Sequence, residues 1–226
     1  MRFGKSILAP AILLLVTAAL AAAQGGPPAA GVTGTGAPRG AGAPGGGQRG
    51  GGGGPAMALT TSAWPDGDPI PVKYTQANTE KPDQISPEFK WTNAPAGTVS
   101  FVFNMLDPDV AQMRGTETQV HWLVWNIPGT ATGLAEGQPR GASLPDGSMQ
   151  ISATGPVYRG PGAPATGPQH HYTFEVYALD SKIDVAPSSN PTPGAAAVET
   201  RTAVFKAMQG HVLGKAVYVG LFRRPQ

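Results

Sequence analysis

Residues 57–226 are predicted to form a mainly β fold, an antiparallel β-sandwich with one or two peripheral helices. Two observations carry this prediction. Eighteen of the 24 prolines lie in this part, clustered with Gly, Asn and Asp between short apolar runs, which is typical of all-β chains. One late segment alone carries the sequence signals of a helix.

Four apolar runs have the length and composition of strands, namely residues 99–106, 120–125, 172–179 and 216–222. The run 120–125 is apolar on both faces, which predicts a central strand covered on both sides. Weaker strand candidates are residues 70–74, 89–92 and 149–153.

The single helix is predicted over residues 193–209. Thr192 can cap it, Pro193 suits the first helical position, and Gly210 suits its end. Val198 and Phe205, together with a methionine one turn later, would form its apolar face.

The chain before this region is predicted to be a signal peptide followed by a linker. Residues 1–23 combine a basic start, an apolar middle and an Ala-Ala-Ala end, as in a secretory signal peptide cut after Ala23. Pro10 interrupts the short apolar stretch, so an uncleaved anchor helix is the weaker alternative. Residues 24–56, with 15 Gly, 5 Pro and 6 Ala, are predicted to be a disordered linker. The sequence therefore predicts a periplasmic or secreted protein.

Composition excludes several classes of function. Residues 57–226 hold 12 basic and 14 acidic residues, a net charge of −2, without a basic stripe for nucleic acid. The absence of cysteine excludes disulfides, thiolate metal sites and a cysteine nucleophile. No Gly-x-Ser-x-Gly elbow is present. Membrane contact is expected only through an uncleaved signal segment or a lipid ligand.

Polar residues interrupt the apolar pattern in three places. Asp107-Pro108-Asp109 follows the run 99–106, where it could form a simple turn or present carboxylates at a sheet margin. His121 lies inside the most apolar run, where it could be a core histidine bonded to a carbonyl or a site residue. His170 and Tyr172 share one strand face, and His171 points the other way.

These residue types are compatible with a small phosphorylated ligand. Imidazole and phenol groups can hold a phosphate, helped by backbone N–H groups of the preceding Pro/Gly loop. The carboxylates could orient a histidine or meet a cationic group, so a zwitterion such as phosphoethanolamine would satisfy both halves. A metal site of Asp107, His121 and His170 is the less favoured interpretation by ligand type, and no cofactor is expected.

Several separate motifs resemble the phosphatidylethanolamine-binding protein family, in its bacterial Raf-kinase-inhibitor-like branch. They occur in the family's order and are Ser-Pro-Glu-Phe-Lys-Trp at 86–91, Asp-Pro-Asp at 107–109, His-Trp-Leu-Val-Trp-Asn-Ile-Pro at 121–128, the loop 158–164, His-His-Tyr at 170–172, Tyr-Ala-Leu-Asp at 177–180 and Gly-His-Val-Leu at 210–213.

The resemblance implies a β-sandwich with a small anion pocket at one end. Its ligand-binding residues would be Asp107, Asp109, His121, Pro164, His170 and Tyr172. The two histidines would donate to the anion, and the proline would shape a loop of backbone donors. The implied function is non-enzymatic binding of a phosphorylated molecule or phospholipid headgroup. Inhibition of a protease or kinase, and hydrolysis by Asp107 and His121, are the alternatives.

Overall fold

The computed structural model describes residues 55–80 and 84–226. The predicted signal peptide, and the predicted linker up to residue 54, lie outside the described residues. In the part of the chain that is described, no helix has the length and apolarity needed to cross a bilayer.

Two antiparallel sheets make up the fold. The smaller contains β1 (Ala58–Thr60), β2 (Phe89–Thr92) and β5 (Gly133–Leu134), in the order β1-β2-β5. The larger contains β3 (Ser100–Ala111), β4 (Thr118–Pro128), β6 (Met149–Ile151), β7 (His170–Leu179) and β8 (Val212–Phe222), in the order β6-β4-β3-β7-β8. The predicted antiparallel β architecture with one helix is confirmed.

The space between the sheets is filled largely by aromatic side chains. Trp64 lies at its centre, with ring centroids 5.9 Å from Phe89 and 5.5 Å from Phe174. The indole N–H of Trp64 donates to the carbonyl of Val219 at 3.1 Å, so its polar atom is satisfied within the core. This core joins the two sheets into a sandwich.

The opposite face of the larger sheet is covered by α1 (Pro193–Ala207). Strand β4 is therefore buried on both sides, as its apolar pattern predicts, but it is second in the sheet, and β3 is the central strand. Thr192 stands at the N-cap without a side-chain capping bond. The helix is buried mainly through Ala196, Ala197 and Val204, whereas the predicted face residues Val198 and Phe205 are only partly buried.

Two strand predictions differ from the structure. The segment 70–74 is not a strand, because Val72–Tyr74 forms a single 3₁₀ turn after Pro71, which offers no N–H to a ladder. Strand β3 continues through Pro108 to Ala111, beyond the predicted end at residue 106. Its pairing is nevertheless interrupted at this point, and this interruption positions the cavity described next.

Candidate functional site

The candidate site lies where β3 parts from its neighbours. Pairing of β3 with β7 extends to Leu106, opposite Thr173. Pairing with β4 is irregular beyond Asp107. Asp107 pairs with Gln119 and Ala111 pairs with Thr118, so β3 advances by four residues while β4 advances by one. The ladder is therefore open after Leu106 on β3 and before Thr173 on β7, and side chains of these two stretches surround a gap.

A cavity of about 110 Å³ occupies this gap. Five of the six residues predicted for ligand binding line it, namely Asp107, His121, Pro164, His170 and Tyr172. Further lining comes from Gln76, Val110, Gln119, Arg159, Gly162 and Ala163. At about 30 Å³ per water molecule, the volume suits about four waters or one compact tetrahedral anion.

The buried imidazole of His121 has a defined hydrogen position. Its Nδ1 lies 2.9 Å from the carbonyl oxygen of Arg159. A carbonyl can only accept, so Nδ1 carries the hydrogen and Nε2 of the neutral ring is an acceptor. Nε2 has no hydrogen-bond partner and lies 4.0 Å from Oδ2 of Asp107. Burial lowers the pKa of His121 from 6.5 to about 4, so the ring is neutral at pH 7.

The Asp107 carboxylate is held in place from two sides. Its Oδ2 accepts from Nδ1 of His170 at 2.9 Å, and its Oδ1 accepts from the backbone N–H of Asp109 at 3.1 Å. The side chain of Asp107 is buried, whereas that of His170 is partly exposed. This is the pairing in which a carboxylate orients a histidine.

Asp109, the sixth predicted residue, does not line the cavity. Its Oδ2 accepts from the backbone N–H of His171 at 2.6 Å and lies 3.1 Å from Nδ1 of the same residue. The backbone hydrogen bond lowers the pKa of Asp109. The pair lies on the exposed side of β7, as strand parity predicts for His171.

One group in the described chain has metal-ligand spacing. Ligand atoms of Asp107, Asp109 and His170 all lie within 4.8 Å of one another. This differs from the metal set considered from sequence, because His121 is replaced by Asp109. Elemental analysis of the purified protein tests whether an ion is held there.

The Tyr172 hydroxyl ties the proline loop to β7. Its oxygen accepts from the backbone N–H groups of Gly162 and Ala163, each at 3.2 Å. These two loop donors are therefore already used, although the sequence argument assigned them to an anion. The side chain of Asp107 also interacts with this hydroxyl, as the acceptor of its hydrogen. Burial, assisted by the negative charge of Asp107, raises the pKa of Tyr172, so the phenol stays protonated.

Arg159, the basic residue of the cavity, was not among the residues predicted from sequence. The amide group of Gln119 lies 3.1 and 3.2 Å from the two terminal nitrogens of Arg159, and because a guanidinium can only donate, the amide is assigned with its oxygen toward them. Partial burial lowers the pKa of Arg159, but a guanidinium stays charged at any ordinary pH. The available signal was that Arg159 is the one charged residue in the stretch 155–169.

Comparison with known proteins gives consistent matches. A family model described as phosphatidylethanolamine-binding protein matches residues 60–223. A UPF0098 protein of Methanothermobacter thermautotrophicus is 38% identical over 170 residues, which cover 74% of this chain and 99% of that protein. A UPF0098 protein of Aquifex aeolicus is 34% identical over 172 residues, covering 76% and 91% respectively.

Solved structures agree with these matches. A putative phosphatidylethanolamine-binding protein homolog from Chlamydia trachomatis has a TM-score of 0.59 and 28% identity, over 75% of this chain and 99% of that one. Escherichia coli YbcL has a TM-score of 0.60 over 76% and 100%. Its 24% identity makes that likeness one of fold alone.

Proposed function

Because this chain belongs to the phosphatidylethanolamine-binding protein family, we propose that it binds a small phosphorylated or zwitterionic molecule in the cavity lined by Asp107, His121 and Tyr172. One observation carries the proposal. The lining holds one carboxylate, from Asp107, and one guanidinium, from Arg159, around a space of about 110 Å³.

The guanidinium supports the anionic half of this ligand. Planar guanidinium groups match the geometry of phosphate oxygens and bind them bidentately. Gln119 accepts from the two terminal nitrogens of Arg159 and so holds its side chain at the cavity. The hydroxyl of Tyr172 accepts two backbone N–H groups of the loop and interacts with Asp107, so it fixes the loop and the carboxylate beside the guanidinium.

The carboxylate supports the cationic half. Asp107 would repel an isolated dianion, but its charge attracts an ammonium group on the same ligand. Its pairing with His170 keeps the carboxylate directed along the cavity wall. A phosphate beside Arg159 and an ammonium beside Asp107 would place each charge of a zwitterion next to its opposite.

Binding is favoured over hydrolysis by the state of His121. A histidine whose pKa is lowered to about 4 is a weak general base at neutral pH. Among the described residues that line the cavity, the one hydroxyl is that of Tyr172, whose raised pKa disfavours a phenolate nucleophile. Turnover of ester or phosphate substrates by the purified protein would instead support the alternative function, hydrolysis.

Two further proposals rest on the sequence alone: export of the protein, and inhibition of a protease or kinase. The predicted signal at 1–23 favours a periplasmic or secreted site of action. Inhibition of a protease or kinase is a prediction from the resemblance, and pull-down against envelope proteases tests it.

Titration calorimetry with phosphoethanolamine at pH 7 tests the binding proposal. Replacement of Arg159 by Gln should weaken binding by about tenfold or more, because a charge-assisted hydrogen bond contributes about 1.5–3 kcal/mol. Lys206→Gln, an exposed charge loss on α1, is the matched control and should bind as the unaltered protein does. No detectable heat with phosphoethanolamine or inorganic phosphate contradicts the proposal.

A further inference from the structure

We propose that the cavity selects anions that carry a hydrogen of their own, so that it takes phosphate monoesters in their monoprotonated form and rejects sulfate and phosphate diesters. The inference rests on the proposed function and narrows its ligand class. It follows from the arrangement of hydrogen-bond donors and acceptors around His121 and Asp107.

The first acceptor is Nε2 of His121. The Arg159 carbonyl, 2.9 Å from Nδ1, fixes the ring hydrogen on Nδ1. The side chain is 2% exposed and its Nε2 has no partner, so the nitrogen presents a lone pair to the cavity. A buried acceptor without a donor is costly, and a ligand hydrogen would remove this cost.

The second acceptor is the carboxylate of Asp107. Its Oδ2 lies 4.0 Å from Nε2 of His121, too far for a direct hydrogen bond. A ligand oxygen placed between them could reach both atoms at about 2.8 Å. If that oxygen bears no hydrogen, as in sulfate or a diester, it faces two lone pairs at once.

The remaining groups around His121 fit a protonated anion. Arg159 offers a positive charge to the other phosphate oxygens, whereas the hydroxyl hydrogen of Tyr172 is directed to Asp107. The Nδ1–H of His170 is engaged by Asp107. The loop N–H groups of Gly162 and Ala163 donate to Tyr172 rather than to the cavity. The site is therefore poor in free donors for a fully deprotonated anion.

The test is a titration of the full-length protein at pH 6.0 with four probes of defined hydrogen content. Methyl phosphate is a monoester, dimethyl phosphate is a diester, sulfate has no hydrogen, and glycerophosphoethanolamine is a diester with an ammonium group. Methyl phosphate should bind at least tenfold more tightly than each of the other three. Equal binding of sulfate or dimethyl phosphate overturns the inference while leaving the proposed function intact.

Glycerophosphoethanolamine separates the two sources of a ligand hydrogen. If it binds as tightly as methyl phosphate, the hydrogen comes from the ammonium group and the selection of monoesters is refuted. If none of the four probes nor phosphoethanolamine binds, the inference and the proposed function both fail.

A pH series isolates the proton on the ligand. A monoester with a second pKa of about 6 is about half protonated at pH 6 and about 1% protonated at pH 8, so the affinity ratio of methyl phosphate to sulfate should fall by about 50-fold. The ionisable groups that line the cavity with His121 are Asp107, Arg159, His170 and Tyr172. A change in their charge acts on both anions, so its effect cancels in the affinity ratio. A ratio independent of pH overturns the inference.

Replacing an acceptor by a donor should relax the selection. Asp107→Asn places an amide N–H where a lone pair was, and the methyl phosphate to sulfate ratio at pH 6.0 should fall by at least tenfold. The matched control is Asp180→Asn, which alters an exposed carboxylate 2.7 Å from Nδ1 of His211. An unchanged ratio in folded Asp107→Asn protein contradicts the assignment. The four-probe titration decides the matter if that variant does not fold.

Discussion

The buried neutral imidazole predicts a specific pH dependence of stability. In the unfolded chain His121 has a pKa of about 6.5, and in the folded protein burial lowers that pKa to about 4. Between these values the unfolded state binds a proton that the folded state does not. The stability that comes from the neutral ring is therefore complete above pH 6.5 and is lost as the pH falls toward 4.

The size of this effect follows from the two pKa values. One pKa unit corresponds to about 1.36 kcal/mol, so the full loss across the window is about 3 kcal/mol. By pH 5.0 the loss is already about 2 kcal/mol, because most unfolded chains are then protonated at this site. A change of this size exceeds the typical uncertainty of denaturant extrapolation.

The assay is urea denaturation at pH 7.5 and pH 5.0 of the unaltered protein and of His121→Gln, which cannot titrate. The difference in unfolding free energy between the two pH values should be about 2 kcal/mol smaller in the variant. Contributions from carboxylates cancel in this comparison. Lys206→Gln, at an exposed position on α1, should keep the original difference. Equal pH dependence in the unaltered protein and His121→Gln would refute a buried neutral ring.

Further substitutions test other parts of the structure. Tyr172→Phe removes the acceptor of two loop N–H groups and should lower the unfolding free energy by about 1–3 kcal/mol and weaken phosphoethanolamine binding; Tyr177→Phe, on the other face of β7, should leave binding unchanged. Gly133→Ala would drive a Cβ into the backbone carbonyl of Phe89, so thermal unfolding should show a loss of about 1–3 kcal/mol or more. Val204→Ala should lower the unfolding free energy by about 1–3 kcal/mol in the same assay without altering binding, because this side chain of α1 is fully buried against the larger sheet. A stable Gly133→Ala, or a Tyr172→Phe indistinguishable from Tyr177→Phe, would contradict these contacts.

The strands with strong apolar patterns could be predicted because their residues are buried in the way that strand period requires. The run around Trp122 and Trp125 is an example. The indole of Trp122 lies in the core between the sheets, and that of Trp125 lies in the core under α1. The segment 70–74 misled the prediction because its apolar residues are buried by a tight turn rather than by strand pairing. Sequence period does not separate these two routes to burial.

Within the site, residue identity was easier to predict than residue role. Asp107, His121 and Tyr172 do meet at one cavity. Their hydrogen-bond roles depend on atoms far along the chain. The carbonyl of Arg159, 38 residues from His121, fixes the ring hydrogen and leaves Nε2 an acceptor, whereas the sequence argument had that histidine donating. Such roles are set by tertiary contacts and leave no local pattern in the sequence.

A crystal structure of the protein with phosphoethanolamine would show where the ligand is held. We expect a phosphate group in the cavity, with oxygens within about 3.2 Å of the Arg159 guanidinium and of Nε2 of His121. A phosphate bound elsewhere on the protein, or a cavity filled only by water at saturating ligand, would contradict this expectation.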